Sequence, residues 1–158
     1  MRSNAVAAVL TGFVLMSRAG LSAAAPTVAC ELLTQARVSA ALGVSVGAGT
    51  PIARPGTCQW AGKGKIATLT ITKPLAGKTP VEQFNTGKTS KRPGITTEPV
   101  SGVGDDAFYV YYAGTTRAGA GIVVRKGDST FEVRVYGFPL DEGKTVGKSL
   151  AQDVAGKF

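Results

Sequence analysis

The sequence AGIVVRKGDSTFEVRVY, residues 120–136, predicts two antiparallel strands joined by a tight turn. Glycine followed by a small polar residue, as in Gly127-Asp128, is typical of a two-residue type II′ turn, because the first turn position has a positive φ. The register that this turn sets contains three pairs, which are Lys126–Ser129, Val124–Phe131 and Ile122–Val133. Since apolar residues then lie opposite apolar residues, we expect one side of the hairpin to be buried.

The hairpin belongs to a longer segment, residues 100–137, that predicts three consecutive antiparallel strands. A glycine-rich turn at residues 102–106 leads into the first of them, residues 107–112. Two earlier strands are predicted at residues 57–60 and 67–72, where apolar residues alternate with threonine in the second. The sequence therefore predicts one antiparallel sheet of about five strands.

Helices are predicted from capping residues and apolar periodicity. Thr34 suits the N-cap of a short helix, and Gly43 suits its left-handed C-terminal residue. The tetrapeptide TPVE at residues 79–82 combines a capping box with proline in the first turn. Apolar residues at every fourth position predict a closing helix over residues 141–158. They are Val146, Leu150, Val154 and Phe158. We expect an α+β protein with about two to three helices packed on the sheet, in the order αββαβββα.

The first 25 residues have the features of a signal peptide, and residues 26–158 then form a single α+β domain. Arg2 provides a short basic beginning, and residues 5–16 are an apolar run that ends before a group of small residues. That run is too short to cross a bilayer, so no transmembrane segment is expected in the mature chain. We expect a secreted or periplasmic protein. Lipidation of Cys30 is the alternative, although the leucine of a lipobox is missing.

The chain has two cysteines, Cys30 and Cys58, and an exported protein meets an oxidising compartment. A disulfide between them is the simplest expectation. Closing a loop of this length stabilises a fold by about 3.5 kcal/mol in the chain-entropy model. The bridge would join the first helix to the strand of Trp60, which we expect to fill the core beside it. Two thiolates without histidine make a poor cage, so no metal is expected.

Composition restricts the chemistry of the chain. Its 18 Lys and Arg exceed its 10 Asp and Glu, but without a long basic run they favour a soluble surface over specific nucleic-acid binding. Histidine is absent from the sequence, which excludes a serine triad. The Gly102-x-Gly104-x-x-Ala107 pattern precedes a strand rather than a helix, and the Gly-Lys-Thr and Gly-Lys-Ser fragments lack the earlier glycine of a P-loop. No cofactor is predicted, and the sequence favours a protein that is not an enzyme.

One group of side chains has the composition of an interface, in which aromatic and arginine residues are favoured. We expect this group on the outward face of the meander, and its members are Tyr109, Tyr111, Val123, Arg125, Arg134 and Tyr136. The alternative is that a helix covers this face or that the tyrosines only line the sheet edge. The leading hypothesis is an exported binding or interaction domain for an unknown protein or envelope ligand.

Two other functions remain open. An inhibitor of an extracellular enzyme would present residues 88–94 or 114–119 as a binding loop, although their glycines argue for low affinity. A carboxylate-dependent hydrolase would use Asp105, Asp106 or Glu132, if two of them converged in one pocket. No catalytic residue is assigned from the sequence.

Three short motifs and the closing helix together resemble a broad group of small bacterial exported domains and lipoproteins of unknown function. The motifs are Cys30-x-Leu32-Leu33-Thr34, Cys58-x-Trp60 and Gly102-x-Gly104-Asp105-x-Ala107-Phe108. The resemblance covers most of residues 26–158, and it implies paired cysteines and a glycine-aspartate turn that leads into a meander. Because the group has no established activity, it implies a compartment and a fold.

Overall fold

The computed structural model describes residues 28–112 and 119–158. In this part of the chain, seven strands form one antiparallel sheet and four helices pack on it. The strands are β1 (Thr50–Pro51), β2 (Thr57–Gly62), β3 (Lys65–Thr72), β4 (Ile95–Val100), β5 (Asp106–Tyr112), β6 (Ala120–Lys126) and β7 (Ser129–Tyr136). The helices are α1 (Val28–Leu32), α2 (Gln35–Leu42), α3 (Pro80–Lys88) and α4 (Leu140–Ala155). The strands lie side by side in the order β1-β2-β3-β7-β6-β5-β4. The predicted signal peptide, residues 1–25, lies outside the described residues.

The hairpin of β6 and β7 has the predicted register. The three predicted pairs, Lys126–Ser129, Val124–Phe131 and Ile122–Val133, are all present. Gly127 has a φ of 56°, as the first position of a type II′ turn requires. Since β5 pairs with β6 in turn, the three-stranded meander is confirmed as well.

The sheet is larger than predicted, with seven strands rather than five, and the order is corrected to ααβββαββββα. The additional strands are β1, which has two residues, and β4, which pairs with β5 at the edge of the sheet. β4 lacks apolar alternation and contains Pro99, which an edge strand tolerates because one of its sides makes no ladder hydrogen bonds. These features make β4 difficult to recognise as a strand from the sequence.

The helix caps form as predicted. The side chain of Thr34 accepts a hydrogen bond from the Arg37 N–H, and Gly43 ends α2 in the left-handed conformation at φ 65°. At α3 the Thr79 side chain accepts a hydrogen bond from the Glu82 backbone N–H, and the Glu82 side chain accepts one from the Thr79 backbone N–H. Together they form the predicted capping box. Local signals therefore determine where α2 and α3 begin.

The main core lies between one face of the sheet and the helices α1, α2 and α4. Helix α4 packs across β6 and β7, and its Leu150 and Val154 are fully buried against them. Gly147 also faces the sheet, where a Cβ atom would lie 3.8 Å from Ile122 Cγ2. The closing helix is thus confirmed, although it ends at Ala155 rather than at Phe158.

Cys30 and Cys58 form the predicted disulfide, with an S–S distance of 2.02 Å and a Cα–Cα distance of 5.1 Å. The bond joins α1 to β2, and Trp60 on the same strand is 1% exposed, as expected of a core residue. A Cβ atom on Gly49 would lie 2.7 Å from the indole and 2.9 Å from Cys58 Sγ, so the neighbouring loop packs closely over both. While its sulfur is bonded to Cys58, Cys30 has no thiol to carry a lipid.

Helix α3 packs on the opposite face of the sheet from the other helices. Phe84 of α3 meets Phe108 of β5 edge to face, with ring centroids 5.2 Å apart. At the end of α3, Lys88 Nζ donates to both carboxylate oxygens of Asp106, at 2.8 and 2.7 Å. Because α3 covers only part of this face, a cleft remains between the helix and the sheet.

Candidate functional site

The residues predicted to form one binding face are divided between the two faces of the sheet. Tyr109 and Tyr111 lie on the side of α4, whereas Val123, Arg125, Arg134 and Tyr136 lie on the side of α3. Tyr109 pairs with Ile122, a fully buried core residue, which fixes its side. The prediction of a single Tyr and Arg face is therefore wrong. The physical reason is that β5 is apolar on both faces, with Phe108 buried under α3, so its alternation does not reveal which side faces outward.

The two tyrosines take part in a polar cluster that joins α4 to the edge of the sheet. The Tyr109 hydroxyl donates to the backbone carbonyl of Lys144 at 3.1 Å, and the Tyr111 hydroxyl donates to Glu98 at 3.2 Å. Lys144 Nζ donates to Glu98 Oε2 at 2.6 Å and lies 4.4 Å from the centre of the Tyr111 ring. Burial raises the pKa of Tyr109, which keeps its hydroxyl protonated as a donor. These contacts give the cluster a structural role.

The arginines on the opposite face have different surroundings. Arg125 Nη1 lies 3.4 Å from Asp105 Oδ2, beside the turn between β6 and β7. Tyr136 lies at the end of β7, away from the cleft. Of the predicted face, only Val123 and Arg134 line the cleft between α3 and the sheet.

The cleft has a volume of about 520 Å³. Small-molecule sites commonly fall between about 300 and 1,000 Å³. The walls come from α3, the segments on either side of it and the strands from β3 to β4 across the sheet. The apolar part of the wall includes Phe84, Ile95, Phe108, Val110 and Val123. The cleft therefore has the size and the apolar lining of a ligand pocket.

Charged side chains make the cleft positive. Arg54, Lys78, Arg92 and Arg134 line it, against the single acid Glu132 among the described lining residues, so four cations and one anion give +3. Arg134 donates to Glu132 Oε1 from Nε and Nη2, at 2.9 and 2.6 Å, and Arg54 Nη2 lies 3.5 Å from Oε2. The side chains of Glu132 and Arg134 are only 12% and 17% exposed. The floor thus contains a nearly buried ion pair with a second guanidinium at its edge.

Thr130 adds a buried hydroxyl to the same floor. It lies two residues before Glu132, on the same face of β7, and is 6% exposed. Its Oγ1 atom has no hydrogen-bond partner among the described residues. A buried polar group without a partner costs about 1–3 kcal/mol. A ligand atom that bonds to this hydroxyl would recover that free energy.

The three carboxylates considered for hydrolysis do not share a pocket. Asp105 accepts hydrogen bonds from the Gly127 N–H at 2.8 Å and from Lys126 Nζ at 3.0 Å, and chiefly the first of these lowers its pKa. Asp106 is paired with Lys88, and Glu132 alone lines the cleft. An acid and a base about one scissile bond would require two of these groups in one place. This arrangement gives no support to the hydrolase alternative.

The loops considered for an inhibitor are only partly described. Residues 88–94 begin at the C-terminus of α3, and Ser90 and Arg92 from this segment line the cleft. Of the loop at residues 114–119, all but the last residue lies outside the described part of the chain. The inhibitor function stays a prediction.

Three contributors to the cleft have no strong signal in the sequence. Arg54 comes from a glycine- and proline-rich segment between β1 and β2, and Thr130 and Phe108 look like ordinary strand residues. The polar alternation of Thr130, Glu132 and Arg134 along β7 indicates that this face is not the main core. It does not indicate that α3 returns to cover part of it.

Among residues 28–112 and 119–158, no three His, Cys, Asp or Glu side chains form a group that could hold a metal ion. Within the same ranges, no helix has the length and apolar character needed to span a bilayer. No protein-family model, curated protein or solved structure matches the chain. The resemblance to small bacterial exported domains therefore stays a prediction.

Proposed function

We propose that the chain is an exported, non-enzymatic binding domain whose ligand enters the cleft between α3 and the sheet. The observation that carries this proposal is one cleft of about 520 Å³ that combines an apolar wall, an excess of cations and the unpartnered hydroxyl of Thr130. Binding sites for small molecules have this composition, in which a few polar groups orient a ligand against apolar side chains. The carboxylates, by contrast, are held by separate cations, which favours binding over catalysis.

The disulfide supports export, because such bonds persist mainly in oxidising compartments. When the full chain is secreted from a bacterial host, we expect a mass that lacks residues 1–24 or 1–25 and two hydrogens of the thiols. An intact leader, free thiols or an attached lipid would contradict the export part of the proposal. Mass spectrometry under non-reducing conditions makes this measurement.

Ligand entry into the cleft is tested with a neutral dye, N-phenyl-1-naphthylamine, whose fluorescence rises in an apolar site. We expect saturable binding to the oxidised protein. Replacing Val123 by tryptophan fills the cleft from the strand side and should abolish that binding. Shifts in amide NMR signals on dye binding should concentrate in α3 and β5.

The matched control is Ala61→Trp. Ala61 is exposed on β2, on the same face of the sheet as Val123 but outside the cleft. This variant adds the same indole to the same surface and should leave dye binding unchanged. Equal loss in both variants, or no binding to the wild type, would overturn the assignment of the cleft as a ligand site.

A further inference from the structure

Two of the four cations among the described lining residues of the cleft, Arg54 and Arg134, meet at Glu132 on its floor. The guanidinium group of Arg134 has five N–H donors. Its hydrogen bonds to Glu132 use one donor from Nε and one from Nη2. Arg54 approaches the same carboxylate from the other side, at 3.5 Å, and its side chain is 60% exposed. One negative charge between two positive charges leaves unfilled donors and a net positive charge, which an oxyanion would satisfy.

The unpartnered hydroxyl lies beside this charged pair. Alternate residues on a strand are about 6.7 Å apart, so Thr130, Glu132 and Arg134 form a polar row along one face of β7. Thr130 can donate its hydroxyl proton to an anionic oxygen or accept a bond from a protonated group. The polar end of a ligand would therefore lie along β7.

The apolar part of the cleft lies to one side of that row. Phe108 and Val110 are on β5, which is two strands from β7 and thus about 10 Å away. Leu75 and Tyr112, which are 63% and 48% exposed, line the same cleft and leave apolar surface open to solvent. A ligand that reaches from the charged group on β7 to the apolar residues of β5 would place a polar group at the first and an apolar part at the second.

The accessible part of the apolar wall can be covered by a hydrocarbon chain. Phe84 and Phe108 are 2% and 3% exposed, and they pack edge to face on each other. Their ring faces are not presented as a platform on which a base or a sugar could stack. The more accessible apolar side chains of the wall are Leu75, Val110, Val123 and Tyr112, and a flexible chain can follow such a surface.

Building on the proposed function, we propose that the ligand is an amphiphilic oxyanion. Its carboxylate or phosphate group is bound by Arg54 and Arg134 with the Thr130 hydroxyl beside it, and its single hydrocarbon chain lies along Val110 and Tyr112 of β5. Carboxylate and phosphate share the geometry that guanidinium groups recognise, and both are included in the test.

The test compares four probes that share a ten-carbon chain and differ in the head group: decanoate, decyl phosphate, decanol and decyltrimethylammonium. Each is titrated below its micelle concentration into the oxidised protein, with affinity measured by displacement of N-phenyl-1-naphthylamine. We expect at least one of the two anions to bind about tenfold or more tightly than decanol, because charged hydrogen bonds contribute more than neutral ones. The cationic probe should bind most weakly.

The variants Arg134→Gln and Arg54→Gln separate specific recognition from general attraction. Each should weaken binding of the preferred anion about tenfold and should weaken binding of uncharged decanol much less, with the dye affinity of each variant measured directly. Arg54 is the safer position, because its exposed side chain can be replaced without leaving a buried cavity. Arg125→Gln is the matched control, since it removes one positive charge from the same face at a residue that does not line the cleft.

The outcomes are distinguishable. If the dye binds but both anions bind no better than decanol, or if Arg125→Gln weakens the anions as much as Arg54→Gln does, the inference is overturned and the cleft remains a ligand site. If neither the dye nor any probe binds in the cleft, the proposed function fails as well. A preference for decanoate or for decyl phosphate supports the inference and identifies the head group.

Discussion

Lys144 shows how one residue can join two elements through contacts of different kinds. Partial burial opposes its positive charge and is the largest single influence, but the hydrogen bond and charge of Glu98, aided by Tyr111, outweigh it and raise the pKa of Lys144. The same hydrogen bond, donated by Lys144, is the main cause that lowers the pKa of Glu98. The pair therefore stabilises the contact of α4 with β4 only while Glu98 is ionised.

This pair predicts part of the acid sensitivity of the protein. Because the folded-state pKa of Glu98 lies below its ordinary value of 4.5, its contribution is fully present above that pH and is lost as the pH falls through the folded pKa. Glu98 is half-exposed, so we expect a contribution below about 1 kcal/mol. Glu98→Gln should have a lower thermal midpoint at pH 7, and its midpoint should fall less between pH 5 and pH 3. The control is Asp128→Asn, because Asp128 is a turn residue without an ion pair in the described part of the chain. Its thermal midpoint should fall between pH 5 and pH 3 as much as that of the wild type. An equal change in both variants would contradict the role of Glu98.

The buried hydroxyl of Thr130 leads to a prediction about the stability of the unliganded protein. Thr130→Val keeps the shape of the side chain and removes a buried oxygen that has no partner in the part of the chain that the structure describes. The unliganded protein should therefore gain about 1 kcal/mol of unfolding free energy. The control is Thr70→Val on the neighbouring strand β3, because the hydroxyl of Thr70 shares a buried hydrogen bond of 3.0 Å with that of Thr57. That variant should lose stability in the same urea titration. A loss in Thr130→Val would show that its oxygen has a partner in solution.

At the scale of elements, the predictions succeeded where a local signal determines the structure. The Gly127-Asp128 turn fixes the register of β6 and β7, and the capping box at Thr79 fixes the start of α3. β4 has no such signal, whereas β5 was predicted as a strand but is apolar on both faces, because α3 covers part of the second face. The sides of Tyr109 and Tyr111 depend on that long-range packing, which the alternation of residues does not encode.

Helix α4 contains glycines in its interior, which normally weaken a helix. In Gly147→Ala, the new methyl group would lie 3.8 Å from Ile122 Cγ2 and 4.0 Å from Val135 Cγ2, both ordinary contacts. We expect a gain of about 0.5–1 kcal/mol in unfolding free energy, since alanine restricts the unfolded chain and favours the helix. Chemical denaturation measures the change.

Gly104→Ala is the control, and it should change the stability in the opposite direction from Gly147→Ala. Gly104 has a φ of 59°, and a Cβ atom there would lie 2.5 Å from the carbonyl oxygen of Arg125. This variant should be destabilised in the same assay. If Gly147→Ala were also destabilised, the packing of α4 against the sheet would be tighter than described.

The whole molecule is a sheet with two unequal layers, and this inequality limits how much of the candidate site the sequence could predict. The main layer contains the long helix and the disulfide, and its residues follow patterns of periodicity and cysteine pairing that are visible in the sequence. Among the described residues, the second layer is the short helix α3, and the cleft arises because α3 leaves part of the sheet uncovered. Arg134 was predicted as a binding residue from its type, but Arg54 and α3, which complete the cleft around it, come near it only in the folded chain.

The disulfide predicts how much of the stability of the whole fold comes from one covalent bond. It closes a loop between residues 28 positions apart in the sequence. The double variant Cys30→Ala/Cys58→Ala should lose about 3.5 kcal/mol of unfolding free energy in urea. That is a large share of the unfolding free energy of a domain of this kind, which is typically about 5–15 kcal/mol.

Reduction of the wild type separates the covalent bond from the packing of the sulfur atoms. Cys58 is fully buried, so the alanine variant also leaves a small cavity, whereas wild type in excess dithiothreitol keeps both sulfurs. The reduced wild type should therefore lose most, but not all, of the stability that the double variant loses, and the double variant should not respond to the reductant. If reduction changed the urea midpoint of the wild type little, the contacts of α1 with β2 and β3 would suffice to hold this helix. The loop constraint on the unfolded chain would then not be a main source of stability.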